Sequence, residues 1–350
     1  MRQTQLILVE GIPGSGKSTT SQFIAQRIEQ QAIPVQWWYE EEAEHPLYVF
    51  RDNTGLQRVM NDLEAGRYET VIDDVLAKWR QLTERLQASN DTVVLESCLF
   101  GYLTWTLFSF DVSEDRIARY VARIETIVRP LEPVLIFLHQ RDPRRSLRRI
   151  CKNRGDAWKS WFIGRPAECL YGKHRGLNGF DGLVTYWSAY GDVMHRLYNR
   201  SMCAKLAIEN SVGDWEMYQN AMCNFLDLPT VNLSTRTEHI YRTWLGTYEY
   251  VRDDERKRCK LRMEHGHLVA YDVPWLWHRN HLLPMGIDAV RAAAFPIDLI
   301  SERGASGTVD AIHVVGREML RGTVALRLTR VAEEPIDKPS TPQHTSPVHP

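Results

Sequence analysis

Gly11-Ile12-Pro13-Gly14-Ser15-Gly16-Lys17-Ser18-Thr19 is the stretch whose reading decides the fold. It fits the pattern G-x-x-x-x-G-K-S/T in full. Glycines let backbone N–H groups turn inward around phosphate oxygens. The N-terminus of a following helix adds partial positive charge. Lys17 is then a point charge for β- and γ-phosphates, and the Ser18 hydroxyl is a ligand for Mg²⁺. The flanks have the form this loop requires. Leu6-Ile7-Leu8-Val9 is a short apolar run that reads as a buried parallel strand, and Ser18 to Gln31 reads as a helix. The nine residues Gly11 to Thr19 are therefore assigned to a nucleotide, ATP with GTP as the alternative, together with Mg²⁺.

Outward from this loop, strands and helices alternate. Further strands are expected at Val35–Tyr39, Thr92–Leu95, Pro133–Leu138 and Lys205–Glu209. Helical patterns fill 55–89, 113–127, 142–155, 182–201 and 214–226, with Ser113 and Asp142 as N-caps and Pro143 in a first turn. This is an α/β domain with a five-stranded parallel sheet flanked by helices. The pattern changes near residue 230. Short β-like runs at 241–251, 257–264, 267–273, 287–299, 308–315 and 321–331 are punctuated by glycines. They predict a small all-β domain, a meander or a barrel. The expected organisation is 1–230, 235–332 and a Pro-rich disordered tail at 333–350, with 232–238 as linker.

Ligands of open α/β sheets sit at the carboxyl ends of the strands, so the chemistry is sought there. The second strand ends at Glu40-Glu41-Glu42 and the third at Glu96. Phosphoryl transfer to a hydroxyl uses one carboxylate to orient or deprotonate the acceptor and others to hold Mg²⁺. Glu41 shares strand parity with Trp37 and Tyr39 and is favoured as the base, with Glu40 and Glu42 left open; Glu96 joins Ser18 as the metal pair. The segment 141–155 carries six arginines and a lysine. Arginines bind phosphate bidentately and neutralise the moving group, which nominates Arg145, Arg149 and Arg154. Among the tryptophans, Trp37, Trp38, Trp105, Trp158, Trp161 and Trp187 fall near the expected acceptor pocket, with core packing as the alternative role. His265-Gly266-His267 reads as a hairpin turn.

These features taken in order resemble the deoxynucleoside kinase and thymidylate kinase branch of the P-loop kinases, over residues 5–228. The resemblance rests on the phosphate loop, on Val35-Gln36-Trp37-Trp38-Tyr39 running into glutamates, on Val93-Val94-Leu95-Glu96-Ser97, and on Leu135-Ile136-Phe137-Leu138 followed by Asp142-Pro143 and Arg149. It implies an acidic residue facing the acceptor hydroxyl after the second strand, and an arginine-bearing lid helix. The chain departs from that pattern in three places. Ser97 stands where the family has an arginine. Arg154 falls one residue late, where Asn153 holds the family position. The β segment after residue 235 does not belong to plain nucleoside kinases.

Composition narrows the remaining classes. The 350 residues carry 43 Lys+Arg against 44 Asp+Glu, which disfavours a nucleic acid end-kinase. The six cysteines form no Cys-x-x-Cys pair, so reduced thiols are expected instead of disulfides or a zinc site. The apolar stretch at the N-terminus is too short for a signal, and a cytoplasmic protein is expected. The leading function is a kinase moving the γ-phosphate of ATP to a hydroxyl or phosphate of a small acceptor, either a nucleoside, a nucleotide or a hydroxylated natural product. The alternative is a non-catalytic, regulatory nucleotide-binding protein. Expected partners are the nucleoside triphosphate and the acceptor, with no membrane; a homodimer is left open.

Overall fold

A computed structural model of the chain describes residues 1–230, 241–305 and 307–331. The expected linker at 232–238 and tail at 333–350 lie outside the described residues. The first unit runs β1 (Leu6–Gly11), α1 (Lys17–Glu29), β2 (Val35–Trp38), α2 (Asn53–Glu64), α3 (Tyr68–Gln87), β3 (Thr92–Glu96), α4 (Tyr102–Ser109), α5 (Glu114–Val128), β4 (Val134–His139), α6 (Pro143–Arg154), α7 (Asp156–Glu168), α8 (Leu170–His174), α9 (Gly179–Arg200), β5 (Ala204–Glu209) and α10 (Trp215–Phe225). Its five strands form one parallel sheet in the order β2-β3-β1-β4-β5. With the phosphate loop joining the central strand to α1, this is a P-loop kinase fold.

Both faces of the sheet are covered, so β1 is buried at every position. Alternate residues serve the two sides. Leu6, Leu8, Val93, Leu95 and Phe137 pack under α2 to α9, while Ile7, Val9, Val94, Ile136 and Leu138 face α1 and α10. The helical stretch expected at 55–89 is two helices, broken at Gly66, whose φ of 72° ends the first. Asp142 caps α6 by accepting from the Arg145 amide, whereas Ser113 occupies the N-cap position of α5 without a side-chain cap. The helices α4, α7 and α8 were not marked by sequence pattern, because short, partly aromatic helices lack a clear period.

The second unit is a closed barrel of eight antiparallel strands: β6 (Gly246–Arg252), β7 (Glu255–Glu264), β8 (His267–Tyr271), β9 (Arg279–Pro284), β10 (Ala289–Ala292), β11 (Ile297–Arg303), β12 (Val309–Gly316) and β13 (Ala325–Arg330). Each strand pairs with the next, and β13 closes on β6 through Thr329↔Glu249 and Arg330↔Tyr248. The run at 287–299 is two strands, because a turn at Phe295, whose amide donates to Ala292 C=O, divides it. The strand β9 had no counterpart in the sequence pattern. His265 and Gly266 form the β7–β8 hairpin turn with φ of 50° and 80°, as expected.

Barrel and α/β unit share one apolar core. Ile24, Ile28, Trp37, Tyr39 and Met222 belong to the same buried cluster as Trp244, Phe295, Met319 and Leu328. Gln22 of α1 crosses the joint with three hydrogen bonds to the β10–β11 turn: Nε2 to Ala292 O (3.0 Å) and Phe295 O (2.9 Å), and Ala294 N to Oε1 (3.1 Å). All six cysteines are free, four of them buried. Among the described residues no helix is long and apolar enough to cross a membrane.

Candidate functional site

The phosphate loop is held open from below. Gly16 adopts φ 92° as the N-cap of α1 and offers no side-chain cap. The first-turn N–H groups of α1 are thereby left for an anion. Only glycine fits here, since a Cβ would lie 2.3 Å from the Trp215 ring. Lys17 Nζ rests on the Ile12 carbonyl at 3.3 Å, and Arg149 reaches the Gly14 carbonyl at 3.2 Å. The Asn210 amide of the loop after β5 donates to the Ser15 carbonyl and ties the far side.

A cavity of ≈ 350 Å³ opens from this loop. Its lining includes Gly11, Pro13, Gly14, Gly16, Lys17, Ser18 and Thr19 of the loop, Glu40 and Glu41 after β2, and Arg149, Asn153 and Arg154 of α6. Ile12 and Ser15 complete the loop from behind, both away from the lining. Arg145 is exposed and lies outside the lining, so the i, i+4 face it shares with Arg149 does not bring it to the cavity. Asn153 and Arg154 both reach it, so the one-residue displacement along α6 leaves the arginine in play.

Five carboxylates lie around the loop, among them Glu40 and Glu41 in the cavity lining. Glu96, at the end of β3, is fully buried; its Oε1 accepts from the Glu40 amide at 3.4 Å, and its Oε2 has no hydrogen-bond partner among the described residues. Burial, then the nearby Glu40 charge, hold its pKa well above the usual carboxylate range, opposed by Lys17 and the Ser18 hydroxyl. Glu41 lines the cavity 2.7 Å from Arg321 of the β12–β13 connection; burial raises its pKa and Arg321 opposes the rise. Glu42 turns away from the cavity. It accepts from the Tyr39 amide at 2.6 Å and pairs with Arg317 at 3.0 Å, in the joint with the barrel. Strand parity fails as a guide here because β2 ends at Trp38 and residues 40 and 41 form a turn.

Glu10, the last residue before the loop glycine, is the fifth and is not among the residues nominated from the sequence. It is fully buried, accepts from the Cys98 (2.9 Å) and Leu99 (2.7 Å) amides, and burial pushes its pKa up to about 7. A carboxylate closing an apolar strand was the signal that could have found it.

Much of the remaining lining is aromatic. Trp105 and Trp187 stack at 5.8 Å and 7°, Trp158 stacks on Phe162 at 4.4 Å, and Trp161, Tyr186 and Tyr190 complete the wall. Trp37 and Trp38 are core residues instead. Ser109, bonded to the Tyr186 hydroxyl at 2.6 Å, and Arg165, paired with Glu168 at 3.0 Å, are its polar groups, with Ser97 nearer the loop. The barrel adds Trp277 and Ala294 to the lining. Tyr248 is fully buried inside the barrel, its hydroxyl donating to the Trp244 carbonyl. No group of three or more His, Cys, Asp or Glu side chains placed to hold a metal occurs among the described residues.

No protein-family model matches the sequence. No curated protein matches it either. Solved structures do. The YorR protein of Bacillus subtilis, determined in complex with phosphorylated GDP, is similar with a TM-score of 0.34 and 14% identity, covering 63% of this chain and 95% of that one. Thymidylate kinase from Ehrlichia chaffeensis is similar with a TM-score of 0.34 and 10% identity, covering 64% of this chain and 99% of that one.

Proposed function

We propose that the chain is an ATP-dependent phosphotransferase that moves the γ-phosphoryl group to a hydroxyl of a small, flat, uncharged acceptor, with GTP as the alternative donor. One observation carries this reading: a single cavity is lined by the phosphate loop with Lys17, by the carboxylates Glu40 and Glu41 and by an aromatic wall. The donor's phosphates fit the loop amides, and an acceptor stacked on the tryptophans would present its hydroxyl between them and the carboxylates.

In the step so inferred, the acceptor oxygen attacks the γ-phosphorus, the bond to the β-bridging oxygen breaks, and ADP leaves. Glu41 takes the acceptor proton. Burial raises its basicity and Arg321 opposes that rise, so both influences a general base requires act on one carboxyl. Lys17, Arg149 and Arg154 offset the charge of the moving group. Ser18 and Glu96 would hold Mg²⁺, and the unpartnered buried Oε2 of Glu96 fits that role. Such an ion supplies charge neutralisation between the phosphates.

The preference for a hydroxyl over a phosphate acceptor comes from charge. Glu40 and Glu41 would repel an acceptor phosphate, the family arginine is Ser97, and Arg165 is already committed to Glu168. The test is a mass-spectrometric screen of acceptor mixtures with ATP and Mg²⁺, run beside Lys17→Ala. We expect the gain of one phosphoryl group on a neutral hydroxyl compound, and a loss of about 100-fold or more in a folded Lys17→Ala protein. Near-wild-type turnover by that variant would exclude the kinase reading. ATP binding with no acceptor modified would favour the regulatory alternative.

A further inference from the structure

Arg154 ends the lid helix α6 and is flanked by two indoles. Its guanidinium carbon lies 4.5 Å from the ring centre of Trp158 in α7 and 4.4 Å from that of Trp277, which comes from the barrel. Such contacts hold a cation by its faces and leave its N–H donors to point along its edges. Those donors have no ion pair with the described residues, and the Nε is buried without a hydrogen-bond partner. A desolvated guanidinium without partners is costly unless an anion supplies them. Glu40 and Glu41 act on it only through space, and the cavity with Lys17 lies in front of it.

The loop that presents Trp277 is built to stay put. Between β8 and β9, the Asp272 amide donates to the His278 carbonyl at 3.0 Å, the Leu276 amide to the Val273 carbonyl at 3.1 Å, and the Asp272 carboxylate bonds His278 Nδ1 at 2.7 Å. Trp277 meets Phe295 edge-on at 5.0 Å, and Phe295 packs on Tyr39 at 5.3 Å, beyond the end of β2. On the lid side, Gly155 sits with φ 89° between α6 and α7, where a Cβ would come 3.2 Å from the His278 Cβ. The lid's turn is thus pressed against the barrel loop at the one residue next to Arg154.

We propose that Trp277 is a positioning residue: through it the barrel holds Arg154 toward the transferring phosphoryl group, so that the phosphate-binding site is completed by the second unit. The inference rests on the phosphotransferase reading for the identity of that anion. Its test therefore reads binding as well as turnover. Calorimetry would compare a non-hydrolysable ATP analogue with ADP, each with Mg²⁺, on the full chain and on Trp277→Phe, Trp277→Leu, Arg154→Leu and the double variant.

Trp277→Leu should weaken analogue binding by about 3- to 30-fold, the range open to a partly desolvated cation–π contact. Trp277→Phe should fall between it and wild type. ADP affinity should stay within about twofold, because ADP lacks the group that Arg154 faces. In the Arg154→Leu background, loss of Trp277 should cost nothing more. Equal loss for ADP and analogue, or an undiminished loss in that background, would overturn the proposal and leave Trp277 a packing residue. If Trp277→Leu does not fold, Trp277→Phe carries the same comparison. Should the affinity pattern hold while no acceptor is phosphorylated, the positioning role stands and the kinase reading fails.

Discussion

Gln22→Met tests whether the barrel and the phosphate-loop helix are one mechanical unit. Gln22 is buried, and methionine has nearly its length and shape, so the substitution removes polarity and little packing. It deletes three hydrogen bonds, two donated by Nε2 at 3.0 and 2.9 Å and one accepted by Oε1 at 3.1 Å. The Phe295 carbonyl and the Ala294 amide of the β10–β11 turn then lose this partner in the buried joint, while the Ala292 carbonyl keeps only the Phe295 amide. Each such bond contributes about 1 kcal/mol net, and an orphaned buried group costs about 1–3 kcal/mol. The expected destabilisation is about 3–5 kcal/mol, a large part of a typical folding free energy. The assay is urea unfolding of the full chain, followed by far-UV circular dichroism and tryptophan fluorescence. Because the core is continuous across the joint, both signals should shift together to lower urea with an unchanged slope. Gln22→Glu should be worse, since it sets a carboxylate oxygen against two carbonyls. A Met variant within about 0.5 kcal/mol of wild type would refute the reasoning, as would a barrel signal that moves alone.

Two further outcomes follow from the buried acids. The folded pKa of Glu10, about 7, lies above its unfolded value of 4.5. Between those limits the folded chain holds a proton that the unfolded chain has released, so this group's contribution falls as pH rises through the window, by about 3 kcal/mol in all. Glu10→Gln keeps an acceptor for the Cys98 and Leu99 amides and should flatten the stability profile between pH 5 and 7; urea midpoints that keep the wild-type slope would count against it. Arg321→Ala removes the strongest influence holding the Glu41 pKa down. The acid limb of the transfer rate should move to higher pH, and an unmoved limb would exclude Glu41 as the base.

The sequence by itself determined the phosphate loop, the alternation of strands and helices around it, and the change to β structure after residue 230. These are local signals. A glycine needed for a left-handed turn, an apolar run or a capped helix is specified by its near neighbours in the chain. It also set Glu96 at the end of a strand and Arg154 near the end of a helix, from apolar runs and capping residues close by in the chain. Only the tertiary structure decided which of Glu40, Glu41 and Glu42 face the cavity, since the chain leaves the strand at Trp38 and side-chain alternation stops there. The same holds for Arg321 against Glu41, for Trp277 against Arg154, and for Gln22 against a turn some 270 residues away. A lone arginine or tryptophan in a loop of the barrel, or a glutamine on a helix, carries no periodic mark of its partner. Its role exists only where barrel closure and the shared core bring distant parts of the chain to the same cavity.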